Sequence, residues 1–395
     1  MTESELEPSR QVLDEVVDVR RHLHAHPEVG FEEHETTSLI RDKLAGAGVE
    51  VGECPTETGA VGILRGGKPG RTVLLRADID ALPIVEESGV SFTSAVDGRM
   101  HACGHDGHTA ILLGVAEALA SRAEDLPGSY VFLFQPAEEI ISGAREMIAR
   151  GVLQQYPADA AIGLHLGSFL ESGSVVTRPG LLWAGCDAFE VAIKGPGGHG
   201  GMMGRRGNVI SAQAFFLERL HTIVDGLEAD GTQCHTTVGQ VFTDGFFNIV
   251  PRQATLRGTV RTFTPDLRDE AMERLRGLLL ETDTEFQVSS EVKVVYETVP
   301  LYNEPNVTET VLEAGREVAG EKASVLGAPL TVSDDMAEFL THIPGCYFMV
   351  GARPPDTEEP PAHHSPTFRI DEPALEVGVR VMLKSAVRLA NLNRS

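Results

Sequence analysis

Positive charge is what this 395-residue chain is short of. It carries 33 Lys and Arg against 58 Asp and Glu, a formal net charge of −25, and only six of the 33 are lysine. That balance argues against a nucleic-acid partner, which needs a basic face, and against anionic membrane surfaces. It favours high solubility. Contiguous apolar sequence is short as well: no run approaches the roughly 18 residues of a membrane-spanning helix. The opening MTESELEPSR is acidic and has no signal-peptide core. Cysteine is sparse, with five residues scattered at 54, 103, 186, 234 and 346. An odd, scattered set excludes a disulfide framework and fits free thiols in a reducing compartment, so a cytoplasmic location is expected. No repeat of solenoid period is present.

What the chain does have is length for two domains and enough apolar residues, 42%, to build their cores. It also has MHACGHDGH at 100–108, which sets Cys103 and His105 among His101, Asp106 and His108. An apolar-periodic run follows, so these donors sit at or before a helix N-terminus. Thiol and imidazole one residue apart suit a borderline cation such as zinc. A hydrogen-bonded corner is the plain alternative.

The rest of the chain weighs against that alternative. Residues 10–48 read as helix, break, helix, the break falling at His26-Pro27-Glu28. His22, His24 and His26 alternate at a spacing that does not share a helix face and read as structural. Residues 49–65 suggest a hairpin. Apolar strands at 72–77, 130–134, 160–164 and 346–350 alternate with helices, the pattern of an α/β sheet with parallel pairing. The first delivers Asp78 and Asp80, the second Glu138 and Glu139, the third His165. Ligands in open α/β sheets bind beyond the carboxyl ends of strands, and here several strands end in metal-type donors.

From Asp187 the texture changes. Strand, helix, two strands, helix and strand follow through 296, the split pattern of a ferredoxin-like sandwich, expected as an inserted domain. Residues 1–186 and 300–395 then form one discontinuous domain around an insert at 187–299. The later part includes the proline-rich loop ARPPDTEEPPAHHSP with His363 and His364.

Cys103, His105, Glu139, His165 and one of His363 or His364 are too many donors for one closed tetrahedral site. They suit two metals about 3.5–4 Å apart, with Cys103 the candidate bridge. Adjacent glutamates invite a division of labour, Glu139 as ligand and Glu138 as base and then acid. Asp78 is a plausible orienter of a ligand imidazole, or a strand-end cap. The inserted domain adds GPGGHGG at 195–201, presenting His199. A phosphate cradle is disfavoured there, because no GK-[ST] signature follows. A histidine that polarises a carbonyl oxygen fits hydrolysis; a tight hairpin is the alternative. Asn248 and Arg261 are candidates for a substrate carboxylate, or structural partners.

RRHLHAHPEVGFEE (20–33), RADIDALPI (76–84), MHACGHDGHTA (100–110), FQPAEE (134–139), GLH (163–165), GGHG (197–200) and HSPTF (364–368) occur together and in order. In this the chain resembles the aminoacylase, hippurate hydrolase and auxin-conjugate amidohydrolase branch of the two-metal co-catalytic metallopeptidases, from about residue 12 to 390. The resemblance implies a mixed, mostly parallel sheet flanked by helices, of the phosphorylase/hydrolase-like zinc-peptidase type. It also implies an inserted ferredoxin-like α+β lid and dimerisation domain. It implies two divalent metals per subunit, zinc first with manganese or cobalt as alternatives, held by Cys103, His105, Glu139, His165 and His364 rather than His363. Glu138 is then the general base. His199 is the lid histidine that serves the partner subunit's site in related dimers, and Asn248 is the lid asparagine. The implied substrate is a small N-acyl amino acid of the N-acetyl, N-benzoyl or indole-acyl type, and the implied assembly a homodimer or larger homo-oligomer. A dipeptidase or carboxypeptidase, or a catalytically silent metal-binding relative, is the alternative. The chain departs from the family at Met202-Met203-Gly204-Arg205-Arg206, at Ser333-Asp334-Asp335-Met336 and at Phe246-Phe247, which touches the lid and acyl pocket and leaves the metal set intact.

Overall fold

The computed structural model describes residues 7–392 and divides into two compact units. One contains the chain up to Gly180, Tyr302–Gly327 and the chain from Asp335; the other contains Leu181–Leu301 and Ala328–Asp334. The short second segment belongs there through backbone pairing. Leu330 N–H donates to Leu182 C=O and Ala184 N–H donates to Leu330 C=O.

The first unit is built on eight strands: β1 Glu50–Val51, β2 Ala60–Arg65, β3 Lys68–Asp78, β4 Pro127–Gln135, β5 Ala160–Gly167, β6 Val175–Thr177, β7 Ala323–Val325 and β8 Gly345–Gly351. They lie in the order β1-β2-β4-β3-β5-β8-β6-β7. The four central strands, β4, β3, β5 and β8, pair in parallel, and antiparallel pairs enter towards the edges. This is the mixed, mostly parallel sheet that the sequence implies. Its long helices are α1 Arg10–Ala25, α2 His34–Gly46, α3 His105–Ala120, α4 Pro305–Ala319 and α5 Pro373–Asn391. Alternation along β3 sends Val73, Leu75 and Ala77 into one core with Ile111, Val311 and Val379 from α3, α4 and α5. Leu74 and Arg76 are equally buried, so both faces are covered, as parallel sheets require. That is why the strands read as unbroken apolar runs.

Helix α3 is buried over nearly its whole length, a central helix rather than a surface one. It starts abruptly because Gly104 takes a left-handed φ of 100°, a conformation glycine adopts without penalty. His105 is thereby its first residue.

The second unit has four main strands, Gly185–Lys194, His235–Thr243, Gln253–Thr262 and Ser289–Thr298, and helices Val209–Arg219 and Pro265–Phe286. The sheet runs second-third-first-fourth and is antiparallel throughout, the ferredoxin-like arrangement. The second helix opens on Thr264, whose hydroxyl accepts from Leu267 N–H. It continues to Phe286. Phe286 is buried in this unit's own core, and Gln287 at φ 54° ends the helix.

Candidate metal centre

The donors converge at the carboxyl edge of the central strands. The chain leaves β3 through Ile79 and Asp80, and β4 through Pro136 to Glu139. Helix α3 begins at His105, and the loop after β8 brings His363 and His364. His165 differs from its expected place: it lies inside β5, not after it, because β8 pairs with β5 as far as Gly351 with Gly167.

Among the groups whose ligand atoms lie within 4.8 Å of one another are Cys103 with His165 and His363, Cys103 with Glu139 and His364, His105 with Glu138 and Glu139, and Asp78 with His105 and His108. Cys103 Sγ lies 3.4 Å from His165 Nε2. His364 Nε2 is 3.3 Å from Glu139 Oε2. His105 Nε2 is 3.8 Å from Glu139 Oε1 and 3.9 Å from Glu138 Oε2. Cys103 and Glu139 are each shared between two of these groups, as is His105.

Hydrogen bonding sorts the imidazoles of the cluster. His165 Nδ1 donates to Leu166 C=O at 3.0 Å, and His105 Nδ1 donates to Asp80 C=O at 3.0 Å, with Asp80 Oδ1 at 3.2 Å. In its neutral form each ring keeps its lone pair on Nε2, which is how ligand histidines are prepared. Against the cost of burial, Asp78, Cys103 and Asp80 push His105 well above the usual histidine range. His108 is different. Its Nε2 accepts from Leu166 N–H at 2.9 Å, so its proton sits on Nδ1 and goes to Asp78 Oδ1 at 2.6 Å; both nitrogens are spoken for. His363 is different too. Its Nε2 accepts from Ser168 N–H at 3.2 Å, which puts N–H, not a lone pair, on the Nδ1 that faces Cys103 Sγ at 3.8 Å. His364 holds a left-handed backbone at φ 61°, a strained conformation of the kind that collects at functional sites. Its N–H is pinned to Ala102 C=O at 2.8 Å.

Asp78 requires a correction. It is held by Arg76 Nη1 at 2.7 Å and by His108, and comes no nearer than 3.7 Å to His105 Nε2. Asp80 is the carboxylate that orients a donor imidazole, and its Oδ2 also accepts Glu139 N–H at 3.0 Å. Arg76 and Asp78 are two apart on one strand and share a face, so the guanidinium claims Asp78; the arginine two residues upstream was the signal for it. Sequence reading also missed the wider network. Arg76, fully buried, donates to Gln135 Oε1 at 2.8 Å and pairs with Asp335 at 2.9 Å. Asp106 accepts from Arg20 and His24, each at 2.8 Å. His24 is thus a buried structural residue.

Charge in the cluster is unbalanced. Burial pushes the Cys103 thiol well above its ordinary value, with Glu139 adding to the effect. Burial, then Asp80 and Asp78, pushes Glu139 up to about 8. Burial holds His165 well below the usual histidine range, and neighbouring His108 and His363 add to it. His105 Nε2 and Glu139 Oε1 are buried with no hydrogen-bond partner among the described residues, an expensive state for polar atoms. This set of soft and hard donors, buried or half-buried apart from the exposed His364, fits divalent metal.

The remaining candidates lie in the second unit. His199 is exposed on a two-residue strand paired with Ile249–Val250, and its Nδ1 accepts Gly201 N–H at 3.1 Å. Asn248 is exposed on the same ribbon, its C=O accepting Gly200 N–H at 2.8 Å. Arg261 is half-buried, and its Nη1 donates to Ser333 Oγ at 2.7 Å, so it has the internal partner that the sequence left open.

A parallel-centred sheet with overlapping metal-donor groups at its carboxyl edge defines a metal-binding hydrolase. The chain belongs to Peptidase family M20/M25/M40, whose profile matches residues 74–388. It is 35% identical over 380 residues to N-acetyl-L-cysteine deacetylase of Bacillus subtilis, covering 96% of this chain and 89% of that protein. It is 33% identical over 389 residues to thermostable carboxypeptidase 2 of Saccharolobus solfataricus, covering 97% of each. Among solved structures it resembles the Bacillus subtilis YXEP protein, described as a dinuclear metal binding peptidase. The TM-score is 0.79 at 32% identity, over 97% of this chain and 99% of that one. No helix among the described residues is long and apolar enough to cross a membrane.

Proposed function

We propose that the chain hydrolyses the amide bond of N-acyl amino acids, releasing a carboxylate and a free amino acid. The overlap of donor groups at Cys103 and Glu139, with the Glu138 carboxylate beside them, carries this reading. The likeness to N-acetyl-L-cysteine deacetylase supports the substrate class. Cys103, His105, Glu139, His165 and His364 would hold two divalent ions, zinc being the thiolate-friendly choice and manganese or cobalt the alternatives. Such a pair, when bound, polarises the scissile carbonyl and brings a water's pKa towards about 7. Glu138 takes the proton from the attacking water and passes it to the departing nitrogen, so the amine leaves neutral. Asp80 keeps the His105 proton on Nδ1 and so keeps Nε2 available.

The insert at 187–299, between 1–186 and 300–395, serves in this proposal as lid and dimerisation domain. Its edge strand His235–Thr243 is exposed, with Val241 and Phe242 facing solvent, and open edges invite pairing with a second copy. His199 then stabilises the oxyanion of a substrate held by the partner subunit, and Asn248 its carboxylate. All five cysteines are free, which supports a cytoplasmic location.

A panel of N-acetyl, N-benzoyl and indole-acyl amino acids, run with dipeptides, tests the proposal on metal-saturated protein. The expectation is amino-acid release from the N-acyl set, falling by about 10²–10⁴ in kcat for Glu138→Gln at unchanged metal content. Turnover confined to peptides moves the assignment to a dipeptidase or carboxypeptidase, which the likeness to thermostable carboxypeptidase 2 favours as second reading. Full activity in Glu138→Gln removes Glu138 from the mechanism. Metal binding without turnover of any substrate leaves a silent relative.

A further inference from the structure

The segment PEVGFEE, residues 27–33, has no task in the chemistry above, yet its side chains run directly behind the loop that bears Glu138. We propose that Glu33 is a positioning residue for Glu138, holding the turn from Ala137 to Glu139 in the conformation that aims the base. This rests on the role of Glu138 given above.

The turn needs holding. Ala137 has φ 55° and Ile141 φ 52°, left-handed values that disfavour residues with a Cβ. Such backbone persists where its surroundings over-determine it. Two buried carboxylates do so here, one on each side of Glu138. Glu33 Oε1 accepts Ala137 N–H at 2.9 Å, and Asp80 Oδ2 accepts Glu139 N–H at 3.0 Å. Gly30 completes the cradle: a Cβ there would sit 3.0 Å from Ala137 Cα and 3.1 Å from its Cβ.

Glu33 is also released from the task its position would give it. It stands at the N-cap of α2, but its side chain caps nothing there. Glu28 reaches over instead, accepting Glu35 N–H at 3.1 Å and Thr36 N–H at 2.8 Å. The first-turn amides that an N-cap side chain ordinarily serves are thus satisfied by another residue, and Glu33 turns inward. It is fully buried, with the Thr58 side chain beside its carboxylate. Burial pushes the carboxyl up to about 7. The accepting oxygen serves Ala137 N–H whether the group is charged or neutral, so an amide can replace it.

The test compares Glu33→Leu, Glu33→Gln and Gly30→Ala in the metal-saturated full chain, on whichever N-acyl amino acid the wild type turns over best. Glu33→Leu should lower kcat about 10- to 100-fold, the scale of a displaced catalytic group, with KM within twofold and metal content unchanged. Glu33→Gln should rescue most of that loss. Gly30→Ala, which leaves Glu33 in place and pushes the turn, should reproduce the kcat loss. Wild-type kcat in Glu33→Leu overturns the proposal. So does metal loss in step with activity, or a Glu33→Gln variant as impaired as Glu33→Leu. If Glu138→Gln is itself fully active, the reading of the base has failed; if Glu138→Gln is impaired while Glu33→Leu is normal, only this inference has.

Discussion

The two units treat their polar residues in opposite ways. In the first, the groups around the donors are buried and mutually bonded: Arg20, Arg76, Asp78, Asp80, Asp106 and His108 are each at most 1% exposed. In the second, His199 and Asn248 stand exposed on a short two-stranded ribbon, with Phe246 and Phe247 beside them 66% and 89% exposed. One unit fixes its chemistry in advance by interlocking hydrogen bonds; the other presents exposed side chains, His199 held by a hydrogen bond from Gly201 N–H. Preorganised donors need the first arrangement. Groups that engage a substrate or a second copy are served by the second.

The sharpest way to break that contrast is through Arg76, which neutralises Asp78 and Asp335 where neither reaches water. Arg76→Met should cost about 3–5 kcal/mol, because it removes the guanidinium counter-charge from two buried carboxylates, and urea unfolding would read it. A loss under about 1 kcal/mol, the level of an exposed ion pair, would mean that the buried network does not hold the first unit together.

A smaller effect separates the charge on Glu33 from its hydrogen bond. The fold raises this carboxyl from 4.5 to about 7, so the folded chain keeps a proton that the unfolded chain releases across that window. Stability is therefore lost as pH climbs from about 4.5 to 7 and stays lost above, by at most roughly 3 kcal/mol. Glu33→Gln carries no such penalty. Its melting temperature relative to wild type should rise across the window and level off beyond pH 7. A difference that does not vary with pH would show that burial does not perturb Glu33.

The smallest expected change in stability is at His199. Its exposed ring accepts a hydrogen bond from Gly201 N–H, and exposed substitutions of this kind stay within about 0.5 kcal/mol. His199→Ala should leave the melting curve in place while lowering kcat about 10²-fold, the scale of one oxyanion donor. Unchanged kcat would reduce His199 to a hairpin residue.

Much of the frame was legible from sequence. Strands buried on both faces leave unbroken apolar runs, and the residues following them were readable as donors without coordinates. The end of β5 was not, because His165 to Gly167 remain strand only through the register with β8. Neither was the choice between the two aspartates of RADID, which the guanidinium of Arg76 decides. His363 and His364 are the same residue type side by side. What tells them apart is Ser168 N–H on one ring and a left-handed backbone at the other. The cradle under Ala137 is invisible to periodicity, since Gly30, Glu33 and Ala137 meet only when the segment after α1 docks against the turn after β4.

The chain alone determined which residue types were available and near which strand ends they fell, because burial writes its periodicity into local sequence. Tertiary structure decided which imidazole presents a lone pair, which carboxylate faces a histidine and which props a turn. Apart from His165, whose Nδ1 is turned by the neighbouring Leu166 C=O, those outcomes depend on single hydrogen bonds between atoms dozens to hundreds of residues apart, and no local pattern encodes the direction of a proton.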